Sequence, residues 1–314
     1  MSEGPSLEIR DQHLISKVLL KQWARGGVLS RVSLRFGTVQ KRSPKAEGFE
    51  PWYVRGHESV RLEQVWKTTE DRVPEALAAA TAGTLFQSRT NIGVIKDLLA
   101  LHAVRSRQMA DMWQRSLARS EHKTRIASLL ELISDEEVLA AHFRARTGLE
   151  PGGSATLIAE RDYLLDELEL RLGRGGAGFA SALEEQFQQM RDYLAVRGLE
   201  IGIAQTSELV IGDNPALTYD KDNGKIGFLQ GARLGEADSF VLPLGPQHVV
   251  GGGGDNVYRE LQEHAVAFLN EMQLLGSQRR VYCTPDGSGL DWVLTRRTEI
   301  LATVQDSSSG EHGA

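Results

Sequence analysis

Apolar residues recur at helical spacing early in the chain. Leu14, Ile15, Val18, Leu19 and Trp23 predict an amphipathic helix over about residues 11–24. Arg25-Gly26-Gly27 ends it, because glycine accepts the left-handed backbone of helix termini. Val32, Leu34 and Phe36 then alternate with Arg31, Ser33 and Arg35, the period of a strand, and the flanking glycines mark a short hairpin. From about residue 59 to 196 the pattern is helical. It divides into 60–80 with a break at Pro74, then 92–117, 124–132, 134–146, 155–172 and 178–196. Ser134 is placed as an N-cap, with acids in the turn that follows.

After Gly198 the texture changes to glycine, β-branched residues and short apolar runs. Strands are expected at 199–204, 209–212, 225–229 and 239–244, then a last helix at 258–275, a strand at 280–284 and a terminal strand pair around 292–294 and 299–304. The whole predicts an α+β protein with a helical central region, about 57–197, and strand-rich N- and C-terminal segments that share one sheet. A flexible N-terminus is expected at 1–10, a single domain at 11–304 and a disordered tail at 305–314. A helical domain followed by a separate β-rich domain from about residue 198 fits the same pattern.

Composition narrows the class. With 41% hydrophobic and 25% charged residues, 314 residues can bury a core without covalent staples, and the one cysteine, Cys283, allows no internal disulfide. The N-terminus has no basic run followed by an apolar stretch, and no apolar run is long enough to span a bilayer, so a soluble cytoplasmic protein is expected. The net charge of −6 is uneven: residues 1–55 carry ten Lys/Arg against five Asp/Glu, and the remainder carries −11. A basic segment of this kind fits nucleic acid or a phosphate-containing ligand, or pairs with acids of the same chain.

Local motifs are sparse. Gly173-Arg174-Gly175-Gly176-Ala177-Gly178 matches a dinucleotide fingerprint in spelling, but a predicted helix precedes it where the fingerprint needs a strand. Gly251–Gly254 lacks a following Lys-Ser or Lys-Thr and reads as a linker, with Asp255 capping the next helix. The histidines, His102, His122, His142, His248 and His264 among them, show no metal-ligand spacing, and no cofactor is specified. Asp213-Asn214-Pro215 ends a predicted strand, as a turn or as a site aspartate with a bifunctional amide beside it. His13 suits proton transfer; Glu63 and Glu70 fall on one helix face; Arg105 is an anion anchor.

In this order, His13, Lys21-Gln22-Trp23-Ala24, Glu63 with Glu70, Arg105, Asp213-Asn214-Pro215, Pro243–Pro246 and Asn270 resemble a bacterial family known as domain-of-unknown-function family 4238. The resemblance runs from about residue 11 to 284. Against its pattern Ser16 replaces a proline, Gly212 a serine and Gly245 a second serine. It implies positions and no reaction.

Two functions of different class follow. In the first the protein is a hydrolase, nuclease-like, acting on a phosphate-containing substrate in a toxin or defence role. His13, Glu70 and Asp213 are then catalytic, with Asp213 orienting His13 or serving as a metal ligand, while Lys21, Arg105, Asn214 and Asn270 bind substrate. In the second the same residues form a buried polar network of a binding or regulatory module. An open site leaves donors and acceptors unpaired, whereas a structural network satisfies itself.

Overall fold

A computed structural model describes residues 9–117, 120–172, 175–226, 237, 239–253 and 255–309. In chain order the regular elements begin with β1 (Asp11–His13), α1 (Lys17–Leu20), β2 (Leu29–Ser33), β3 (Val39–Arg42) and β4 (Phe49–Pro51). Helices α2 (His57–Glu70), α3 (Val73–Thr81), α4 (Arg89–Val104), α5 (Arg107–Leu117), α6 (Ser120–Ser134), α7 (Glu136–Thr147), α8 (Ser154–Leu172) and α9 (Ala177–Ala195) follow. Then come β5 (Gly198–Ala204), β6 (Ile211–Gly212), β7 (Leu217–Asp220), β8 (Lys225–Ile226), β9 (Ser239–Gly245), β10 (His248–Gly253) and β11 (Val257–Leu261). The last are α10 (Glu263–Gly276), β12 (Arg280–Cys283) and α11 (Ser288–Ser309). The fold is mixed α+β, and no helix among the described residues is long and apolar enough to cross a membrane.

The chain forms two compact units. One comprises residues 1–10, 52–62 and 110–184; the other comprises 11–51, 63–109 and 185–314. The division therefore does not follow the helix-to-strand change near residue 198. In the first unit Tyr53 and Phe179 are buried and meet edge to face, with Trp113 tilted against Phe179. Within its helical part, Asp135 caps α7 by accepting from the amides of Glu137 and Val138, so the cap falls one residue after the expected Ser134. Of the fingerprint-like segment, 173 and 174 lie outside the described residues, Gly175 and Gly176 precede α9, and Gly178 lies within it.

The second unit holds the sheets. A four-stranded sheet has the order β3-β2-β12-β6, antiparallel throughout, and so joins the N-terminal hairpin to late strands as expected. A six-stranded sheet, β11-β5-β10-β9-β7-β8, is parallel only between β11 and β5. A third pairing joins β1 to β4.

Several expected elements take another form. The first helix opens instead as β1, because β4, distant in sequence, pairs with residues 11–13, and the Gly48 carbonyl accepts from both Leu14 and Ile15 amides. Its apolar stripe is nonetheless core: Leu14, Ile15, Leu19 and Trp23 are buried. Gly251–Gly253 are strand rather than linker. A Cβ on Gly252 would stand 2.6 Å from the Phe240 ring, so the glycine lets that ring cover the sheet. Residues 257–261 extend the sheet instead of starting a helix, and α10 begins after Gln262, which leaves Asp255 outside any helix cap. The terminal strand pair is a helix. Val293 is buried, and Leu290 and Leu294 pack with it against Val32, Val210 and Val281, a helical spacing read as strand. That helix also covers 305–309, where the sequence predicts a disordered tail; 310–314 lie outside the described residues.

Two breaks interrupt the helical region. Pro74 starts α3 one residue in and separates it from α2, as expected. The segment 92–117 is not one helix: Arg105 leaves the helical conformation at φ −83° and ψ 67°, and Ser106 caps α5 by accepting from the Met109 amide.

Candidate functional site

Arg105 and Arg107 flank that break and serve separate networks within the second unit. Arg105 is fully buried, with its guanidinium 5.0 Å over the Trp66 ring. Its Nη2 donates to Glu70 Oε1 and, at 3.1 Å, to the Ser16 hydroxyl oxygen. Ser16 in turn donates to the same Glu70 oxygen at 2.5 Å. Ser16 begins α1, yet its hydroxyl makes no cap bond, because Glu70 and Arg105 have claimed it. The position where this chain departs from proline is therefore part of the cluster.

Around this core the polar demand is unmet. Arg105 Nε and Nη1, His13 Nε2, Glu63 Oε1 and His102 Nε2 are all buried without a hydrogen-bond partner among the described residues. Most buried polar atoms in folded proteins are satisfied, so several orphans in one electrostatically coupled cluster stand out. Burial, then the charges of Lys17 and Arg105, lower the His13 pKa to about 4 despite Glu70 and Asp11. Burial and Arg105 hold His102 at about 3. Burial raises the Glu63 carboxyl, which Glu70 reinforces and Arg105 and Lys17 oppose. Burial pushes Glu70 up as well, but Arg105 and the Ser16 hydrogen bond overcome it and hold the group at about 2. Lys17 is exposed and the Glu70 side chain 24% exposed, so the cluster reaches solvent.

These shifts set a pH dependence. Both histidines have folded pKa values below the ordinary 6.5, so the unfolded chain takes protons first and stability falls as pH drops from 6.5 through about 4 and 3. Glu70 contributes stability that is present above 4.5 and lost as pH falls toward about 2. Glu63, being raised, acts in the opposite sense. Replacing His102 with glutamine is expected to remove up to about 1.4 kcal/mol per pH unit of slope between pH 6.5 and 4, read from urea midpoints across that range.

The second network is closed. Asp213 is buried, accepts from Arg107 Nη1 at 2.8 Å, and accepts from the amides of Gln278 at 2.8 Å and Arg279 at 3.0 Å. Burial pushes its carboxyl up against the pull of those partners. Arg107 also donates from Nε to Glu50 at 2.9 Å. Nearby, buried Glu47 takes Arg31, Arg42, Arg280 and the Tyr282 hydroxyl. The crevice beside Asp213, lined in part by Leu14, Phe49 and Tyr282, is too narrow for a water-sized sphere.

The site residues expected from sequence therefore divide. His13, Glu70 and Arg105 come together, joined by Glu63. No hydrogen bond joins His13 to Asp213, whose partners are Arg107 and the two amides. The expected orientation of His13 by Asp213 is thus not made. Asn214 donates to the Gly276 carbonyl, and both polar atoms of Asn270 hold backbone, accepting from Val210 and donating to Glu208. Lys21 is exposed and lines a groove of about 530 Å³ with Val18, Gln22 and Pro74, which His13, Glu63, Glu70 and Arg105 do not line. Much of the basic excess is spent internally: Arg25 pairs with Glu208, Lys41 with Asp286, and Arg31 and Arg42 with Glu47.

Other expected positions converge on the strand before Asp213. Trp23 Nε1 donates to the Leu209 carbonyl at 2.8 Å, the Pro246 carbonyl accepts from the Leu209 amide, and Gln273 accepts from the Gly212 amide. At Gly212 a Cβ would lie 2.0 Å from Ser277 Oγ and 2.9 Å from the Gln273 carbonyl oxygen. Gly212→Ala is expected to cost about 1–3 kcal/mol, measured by urea unfolding, because a backbone oxygen cannot yield as a side chain can. A neutral result there would contradict the packing.

His102, Ser16 and Lys17 were not among the expected site residues. The signal for His102 is its place three residues before Arg105, on the same helical face. Ser16 stood out only as a departure, and Lys17 had no local signal. Among the described residues no group of three or more His, Cys, Asp or Glu side chains is placed to hold a metal ion.

A protein-family model described as "Protein of unknown function (DUF4238)" matches residues 11–287, and the chain belongs to that family. No curated protein and no solved structure matches the chain.

Proposed function

We propose that this family member is a hydrolase acting on a phosphate-containing substrate at the cluster of His13, Glu63 and Arg105. The observation that carries the reading is the set of buried, unpartnered polar atoms on those side chains and on His102. Unlike the Asp213 network, they have hydrogen bonds left to give. The free Arg105 donors suit phosphoryl oxygens, Lys17 adds charge at the exposed side, and the Trp66 face and Glu70 hold the guanidinium in place. Glu70 is a positioning residue here and not a catalytic one.

Proton transfer falls to His13 and Glu63. An incoming phosphate offsets the Lys17 and Arg105 charges that depress His13, and so raises its basicity as substrate binds. His13 Nε2 then takes a proton from the attacking water as the new P–O bond forms. Glu63, whose burial favours the protonated carboxyl, gives its proton to the leaving oxygen as the old P–O bond breaks. A nuclease-like or toxin role is one form of this chemistry.

The test uses p-nitrophenyl phosphate and bis(p-nitrophenyl) phosphate with the wild type, His13→Gln and Glu63→Gln. Wild-type turnover that falls by about 100-fold or more in variants that unfold normally in urea supports the assignment. Turnover equal in all three overturns it. Growth arrest on induced expression, lost in the same variants, tests the toxin role separately.

A further inference from the structure

His102 is fully buried, and its Nδ1 lies 3.2 Å from the Leu14 carbonyl oxygen. A carbonyl oxygen only accepts, so Nδ1 carries the hydrogen and Nε2 of the neutral ring presents a lone pair. The ring is neutral near pH 7, because burial and Arg105 disfavour its cation. Among the described residues that lone pair meets no donor, the N–H groups of Arg105 Nε and Nη1 meet no acceptor, and the two groups do not bond each other. The cluster thus makes two opposite demands at once. A dianionic phosphate ester meets the arginine's and not the imidazole's. An ammonium group would donate, but both histidines in this cluster are already held away from their cationic forms by burial and neighbouring positive charge. A neutral hydroxyl is the donor these charges favour.

We propose that the site takes a phosphoryl group whose carrier bears a free hydroxyl beside it, the hydroxyl donating to His102 Nε2 while phosphoryl oxygens accept from Arg105. The substrate class is a hydroxy phosphate, of which sugar phosphates and ribonucleotides are examples. This rests on the reading of the cluster as a phosphate site. His102 acts in it as a specificity residue, and takes no proton during the reaction.

A matched pair of probes tests it: ethyl phosphate and 2-hydroxyethyl phosphate, titrated calorimetrically into the full-length protein at about pH 8, where both are dianions. In parallel, the ¹⁵N resonance of His102 Nε2 is followed. The hydroxylated ester is expected to bind about 10-fold more tightly, one hydrogen bond's worth, and to move that resonance, which ethyl phosphate leaves in place. Equal affinities with an unmoved resonance overturn the inference and leave the phosphate site standing. Tighter binding with an unmoved resonance overturns the assignment to His102. If neither ester binds, the phosphate reading and the inference fall together.

Discussion

Asp213→Ala is expected to lower the free energy of unfolding by about 3–5 kcal/mol, the cost of breaking a buried ion pair from one side. The substitution strips Arg107 of one of its two carboxylate partners and removes the oxygens that accept from the amides of Gln278 and Arg279, just ahead of strand β12. The loss is local to the four-stranded sheet, where β6 and β12 pair directly ahead of Asp213. Asp213→Asn keeps the shape and one acceptor oxygen, and is expected to cost about 2 kcal/mol. Urea midpoints at constant m give both values. Phosphoester turnover per folded molecule is expected to stay unchanged in Asp213→Asn. A drop in turnover with stability intact would return Asp213 to the site.

Arg105→Gln has the second large effect, and it is twofold. Phosphate affinity is expected to fall by about 10- to 100-fold, the value of one or two charge-assisted hydrogen bonds. Glu70 loses the cation that holds it at about 2, so its pKa rises toward or past 4.5. Stability near neutral pH then falls by about 3 kcal/mol, the linkage value of a shift of that size. The ¹³C titration of the Glu70 carboxyl reads the first change and urea unfolding the second. Arg105→Lys separates charge from shape: it keeps the cation, loses the planar fork and the stacking on Trp66, and is expected to restore the Glu70 titration better than the phosphate affinity.

How much of this was legible in the sequence depends on whether local or distant partners decide each residue. The helical region was readable because its apolar spacing and Pro74 act locally, and the hairpin of β2 and β3 was readable for the same reason. What failed was decided at long range. Residues 11–13 became strand because β4 pairs with them, and Gly251–Gly253 became strand because β5, β9 and the Phe240 ring cover them. The break at Arg105 carries no glycine or proline, so nothing local announced it.

The site shows the same limit. The sequence offered His13, Glu70, Arg105 and Asp213 as one constellation, and their chemistry gave no reason to divide them. Only hydrogen-bond partners do so. Asp213, Asn214 and Asn270 spend their polar atoms on Arg107 and on backbone, while His13, Glu63 and Arg105 keep some unspent. Under the proposed function, one set of residues is the site and the other a structural network.

The most direct test is a titration of the ¹⁵N-histidine-labelled protein with inorganic phosphate. A saturable shift is expected at His13, with none at His248, and it is expected to be lost in Arg105→Gln. A His13 shift absent at saturating phosphate, or undiminished in Arg105→Gln, would contradict the phosphate site.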